Sequence, residues 1–145
     1  IRKKDLTDAQ KKERVTEYAK LLQIDDLLDR YPKELSGGQR QRVCIAESLI
    51  NDTKFLIADE PVSALDVTVQ AQILKLLNNL KEKKGLTILF ISHDLRTMYN
   101  VCDRIMILDK GYIVETGTPR EMYSNPKHDY TKLLLKSAGL NTFKG

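Results

Sequence analysis

The chain contains no tryptophan, only two cysteines and four prolines, and aromatic residues make up 6% of its 145 positions. Each scarcity excludes something. Two cysteines, Cys44 and Cys102, cannot build the multi-bridge framework of a small secreted domain, and no paired ligand spacing of a zinc site surrounds them. Both fall inside apolar helical patterns, so they are expected as buried free thiols. No stretch approaches the ~18–20 apolar residues of a membrane-spanning helix, and no signal peptide is visible. The few aromatics do not interleave with basic residues, which argues against nucleic-acid binding despite a net charge of +4. A G-x-x-x-x-G-K-[ST] loop, the turn whose amides cradle phosphates, is missing too. The first residue is Ile1 rather than Met, as expected of a piece excised from a longer protein.

What remains is an ordinary globular composition, 41% hydrophobic and 30% charged, in a length that fits one domain. The basic residues cluster at Arg2-Lys3-Lys4 and between Lys81 and Lys84 and otherwise spread over helix faces. Thr7-x-x-Gln10 predicts a capped first helix, with Val15, Tyr18, Ala19 and Leu22 on one apolar stripe. A short helix is expected around Asp26 to Arg30, punctuated by Tyr31-Pro32. The next starts after Ser36 and runs to about Ile50. Phe55-Leu56-Ile57-Ala58 is a short apolar run that predicts a strand buried on both faces of a parallel sheet.

The spacing then predicts a long helix from about Asp66 to Lys84, stopped by Gly85, and a second buried strand from Leu86 to Ile91. A short helix over His93 to Val101 precedes a third strand, Arg104 to Leu108. Lys110-Gly111 turns that strand into a hairpin partner, Tyr112 to Glu115. Thr118-Pro119 opens a short helix to Tyr123, and His128 to Ala138 forms the last. Strand, helix, strand, helix, strand is the grammar of an α/β fold with a mostly parallel sheet.

Four short segments carry chemistry. Ser36-x-x-Gln39 is a capping box, and Gly37 and Gly38 strip side chains from the first helical turn. That leaves backbone N–H groups at the positive end of the helix dipole, an anion site or simply a Gly-rich helix entry. Asp59 and Glu60 close the first strand, where ligands of α/β sheets bind. There an Asp can hold Mg²⁺ and a Glu can take a proton from water, unless the pair are solvated loop acids. Asp66 reads as a helix N-cap. His93 follows the second strand, at the same carboxyl edge, or is a surface histidine. His128 marks a surface turn.

Order and spacing add what each segment lacks. Leu35-Ser36-Gly37-Gly38-Gln39, Phe55 to Glu60, Ser63-Ala64-Leu65-Asp66 and Ser92-His93 resemble, in sequence order, the signature motif, Walker B segment, D-loop and H-loop of an ABC transporter ATPase. Within that family the text resembles the oligopeptide, dipeptide and nickel importer branch, through Arg30 to Leu35, Asp59 to Ile73 and Asn125 to Thr131. The family's P-loop, its adenine-stacking aromatic and the Gln-containing loop facing the membrane domain are not in this chain.

The resemblance implies an α/β fold, a partial P-loop NTPase of the RecA-like type with part of the helical subdomain. Residues 1–50 would be the latter part of the helical subdomain, 51–118 half of the ATPase core, and 119–145 a helical extension. It implies ATP and Mg²⁺ as ligands. Ser36, Gly37 and Gly38 would contact the γ-phosphate, and Gln39 would support that loop. Asp59 would organise Mg²⁺, Glu60 would polarise water, His93 would contact the γ-phosphate and Asp66 would cross a dimer interface. The implied partners are a second ATP-binding subunit, homo- or heterodimeric, the transmembrane permease subunits and, indirectly, a solute-binding protein. The implied location is the cytoplasmic face of the bacterial inner membrane. Without the P-loop this piece should be inactive by itself. The alternative is a non-transport ABC-type ATPase of DNA repair or translation.

Overall fold

The computed structural model describes residues 7–51 and 53–140, so the Arg2-Lys3-Lys4 cluster lies outside the described residues. The chain divides into two compact units, Ile1–Ile91 and Ser92–Gly145. Among the described residues the strands form two separate two-stranded sheets, one in each unit.

The first unit begins with α1 (Asp8–Leu21). Thr7 Oγ1 accepts from the Gln10 amide at 3.3 Å, and Gln10 Oε1 accepts from the Thr7 amide at 2.9 Å, which closes the predicted capping box. Tyr18, Ala19 and Leu22 are buried, whereas Val15 sits at the rim of the stripe, 37% exposed. The expected helix near Asp26 is only a single 3-10 turn, Asp25–Leu27. Tyr31, pushed to extended geometry by Pro32, opens a second such turn, Pro32–Glu34.

Helix α2 (Gly37–Leu49) buries Ile45 and Leu49. These two, four residues apart, own the inward face and turn Cys44 outward, so its thiol is exposed rather than buried as expected. Cys102 in the second unit is half-buried, and both cysteines are free. Arg42 locks α2 in place. Its guanidinium donates to the Leu22 carbonyl at 3.2 Å and to Gln23 and Gln72 Oε1, each at 3.1 Å.

Strand β1 (Phe55–Asp59) pairs in parallel with β2 (Thr87–Ile91), Leu56 opposite Ile88 and Asp59 opposite Ile91. The burial expected on both faces is seen on one. Leu56, Ala58 and Phe90 are buried, but Phe55 is 50% and Ile57 59% exposed. The apolar run reads the same either way. The alternation arises because successive side chains point to opposite faces of a sheet that this unit covers on one side. Between the strands runs α3 (Val67–Lys84), with Ile73, Leu76, Leu77 and Leu80 buried. Gly85, at φ 58°, ends it in the left-handed conformation that a side chain disfavours. Lys84 pairs with Glu17 and lies 5.1 Å over the Tyr18 ring, tying the end of α3 to α1.

The second unit opens with α4 (Leu95–Val101), capped by Asp94 Oδ1 accepting from the Arg96 amide at 3.0 Å. Because Asp94 takes the cap, His93 stays outside the helix predicted to begin with it. Strands β3 (Ile105–Asp109) and β4 (Tyr112–Gly117) form the predicted antiparallel hairpin. Lys110 and Gly111 turn with φ 49° and 85°, the paired positive values that suit the twist of a two-residue hairpin. Helices α5 (Pro119–Ser124), opened by a Thr118–Glu121 capping box, and α6 (Asp129–Ser137) complete the unit. Tyr123 donates its hydroxyl to the Leu95 carbonyl. Burial and the nearby Asp94 push its ionisation well above the usual range, so it stays a donor.

Glu115 holds this unit's last turn. Its carboxylate accepts from the Lys127 amide at 2.8 Å and the His128 amide at 2.9 Å. Partial burial pushes its pKa up, but these two amides and the nearby His128 outweigh that and hold it below the ordinary carboxyl range. A depressed carboxyl contributes stability that is present above its unfolded value and lost as pH falls through the folded one. Chemical unfolding followed from about pH 6 to about pH 3 should therefore show Glu115→Gln losing stability less steeply than the wild type below pH ~4.5. The slope that remains comes from Asp94, Glu121 and Asp129, which are also held low. Equal slopes in the two proteins would show that Glu115 is not a source of the acid sensitivity.

Candidate functional site

The first unit carries all but one of the predicted site residues. Leu35 is buried and extended, and it anchors the turn that lets Ser36 stand as the N-cap of α2. Ser36 Oγ accepts from the Gln39 amide at 3.3 Å, while Gln39 Oε1 accepts from the Ser36 amide at 2.9 Å. The box thus consumes the amides of Ser36 and Gln39. Those of Gly37 and Gly38 have no intrahelical acceptor at this end. They stand at the positive end of a 13-residue helix, which suits an anion. Gln39 acts by folding the turn. Arg40 adds less free charge than its sequence suggests, since its guanidinium donates to the Leu35 carbonyl at 2.6 Å.

Asp59 is the last residue of β1 and is exposed. Glu60 follows at φ 46°, a left-handed conformation uncommon outside glycine, and is half-buried. Two sets of hydrogen bonds hold it there. Its amide donates to the Ile91 carbonyl of β2 at 2.9 Å. Its carbonyl accepts from the Ser63 amide at 3.3 Å and the Ser63 hydroxyl at 3.1 Å. Pro61 and Val62 are buried beneath the turn. The backbone strain is thereby fixed at the residue expected to meet water. Among the described residues no three His, Cys, Asp or Glu side chains converge on one point. An exposed lone carboxylate fits Mg²⁺, which keeps several waters and takes most other ligands from a substrate's phosphates.

Asp66 caps α3, its Oδ1 accepting from the Val69 amide at 3.0 Å. Its sequence context left this cap as one reading, and the structure shows it. One residue escaped sequence reasoning. Gln70 Nε2 donates to the carbonyls of Val62 at 2.9 Å and Leu65 at 3.0 Å, holding the loop between Glu60 and α3. No pattern in the text marks it, because a glutamine in the second helical turn is unremarkable. His93, in the second unit, is exposed at a bend between β2 and α4. His128 caps α6 through Nδ1, which accepts from the Tyr130 amide at 3.2 Å, a structural use.

An anion-ready helix end and an acidic strand end in an α/β framework are the parts expected of a partial P-loop NTPase. A solved structure agrees. The chain superposes on cbiO1 of Clostridium perfringens, part of the ABC transporter complex cbiONQ, with TM-score 0.78 and 30% identity, over 94% of this chain and 52% of that one. Residues 1–63 match the ABC transporter family model. The chain is 51% identical over 135 residues to the peptidoglycan transport ATP-binding protein YejF of Agrobacterium fabrum. It is 48% identical over 132 residues to the dipeptide transport ATP-binding protein DppF of Lactococcus lactis subsp. cremoris. Each alignment covers 90% of this chain, but 24% and 42% of the respective relative. Over most of its length the chain is thus similar to ABC transporter ATP-binding proteins, and it spans less than half the length of these relatives.

Proposed function

We propose that the protein containing this chain is the ATP-hydrolysing subunit of a bacterial ABC importer for oligopeptides or dipeptides. The observation that carries this reading is the pairing, in one unit, of the capped Gly37-Gly38 helix end with the stiff Asp59-Glu60 turn. The peptide assignment is supported by the likeness to a dipeptide transport protein at 48% identity. Both curated relatives are named for transport, which disfavours a role in DNA repair or translation.

Catalysis of phosphoryl transfer to water is mostly positioning and charge stabilisation. The amides of Gly37 and Gly38, with the Ser36 hydroxyl, bind γ-phosphate oxygens of ATP seated on a second subunit's P-loop. Gln39 keeps that turn folded. Glu60 orients the attacking water and accepts its proton. Asp59 holds Mg²⁺, which neutralises phosphate charge when bound. His93 touches the γ-phosphate, and Asp66 lies at the subunit interface. Residues 1–50 belong to the helical subdomain, 51–118 to the ATPase core and 119–145 to an extension. The working assembly pairs two such subunits, homo- or heteromeric, on permease subunits at the cytoplasmic face of the inner membrane, with a solute-binding protein delivering cargo. No described helix is long and apolar enough to cross a membrane.

Uptake of a labelled dipeptide tests the proposal, in cells whose only copy of the full-length protein carries Glu60→Gln. Loss of uptake is expected. Uptake at the wild-type rate would remove the transport assignment.

A further inference from the structure

The two chemically active turns of the first unit are joined through one side chain. A methyl group placed on Gly38 would lie 2.5 Å from Val69 Cγ1, inside any permissible contact. One placed on Gly37 would lie 3.3 Å from Leu65 Cδ2. The N-terminus of α2 therefore rests directly on the start of α3 and on the loop before it.

Val69 is itself fixed from behind. Its amide is the donor that Asp66 caps. The next residue, Gln70, grips the carbonyls of Val62 and Leu65, and Ser63 grips the carbonyl of Glu60. A continuous set of contacts runs from Glu60 through Ser63, Leu65 and Val69 to Gly38. We infer that Val69 is a positioning residue, which seats the Ser36-Gly37-Gly38 turn against the segment that begins at Glu60. A displacement of one turn is then passed to the other. Position 38 requires glycine because of Val69, whatever binds in front of it. The significance of linking these particular turns rests on the proposed function, but the contact itself does not.

A double-mutant cycle reads the contact without nucleotide. In the full-length protein, Gly38→Ala alone should lower the melting midpoint by roughly 3–10 °C through overpacking. Val69→Ala alone should lower it less. The double variant should regain most of what Gly38→Ala lost, since the two residues share one space. A double variant as unstable as Gly38→Ala overturns the inference. Should Gly38→Ala not fold, amide hydrogen exchange in Val69→Ala decides the matter. Exchange should rise about tenfold both at Gly37 to Gln39 and at Ser63 to Leu65, and no rise at either segment overturns it. Because ATP is absent throughout, this result stands or falls separately from that of Glu60→Gln.

Discussion

Replacing Glu60 by Gln in the full-length protein is expected to reduce ATP turnover at least about 100-fold, the scale of a lost general base, while nucleotide binding persists. The substitution keeps shape and backbone. The amide bond to Ile91 and the carbonyl bonds from Ser63 involve main-chain atoms of Glu60, so they survive. What disappears is a carboxylate able to accept a proton. A loss confined to kcat would mean that the side chain acts in the transition state, whereas a rise in KM alone would mean that it only helps bind substrate. Steady-state phosphate release, with a binding assay beside it, separates the two. Turnover equal to wild type would remove Glu60 from the chemistry.

The second large effect is structural. Leu80→Ala is expected to cost about 2–5 kcal/mol, the range for truncating a buried leucine in a packed core. Leu80 is 0% exposed and shares the inward face of α3 with Ile73, Leu76 and Leu77, none more than 7% exposed. A side chain so enclosed leaves a cavity that its neighbours fill only in part. Leu74, half-buried on the same helix, should lose less on the same truncation. Denaturant unfolding of both variants measures the contrast, and equal losses would place the core of this unit elsewhere.

The local punctuation of this fold was legible in its residues. Thr7, Ser36 and Thr118 cap the helices where a Ser or Thr precedes a Gln or Glu by three positions. Gly85 and Lys110-Gly111 turn where positive φ is needed. Such signals act over a few residues, so the text carries them whole. Burial is a different matter. Phe55 and Ile57 look like the interior of a two-sided sheet, yet their face is uncovered in this unit. Cys44 looks like part of an apolar stripe until Ile45 and Leu49 claim the inward side. These outcomes depend on what packs against an element. The same holds at the site. Ser36, Asp59, Glu60 and Asp66 were visible as types at a spacing. The parts that hold them, Val69 behind Gly38 and Gln70 beneath the loop, arise from two helices meeting in space.

This chain holds the Gly-Gly turn and the acidic turn but no G-x-x-x-x-G-K-[ST] loop, so the proposed chemistry needs residues beyond it. ATP hydrolysis by the isolated chain, measured beside the full-length protein at equal concentration with Mg²⁺, tests it most directly. The account predicts turnover in the full-length protein and none above background in the isolated chain. Turnover by the chain alone, lost on Glu60→Gln, would contradict it, because the phosphates would then be bound by residues already present here.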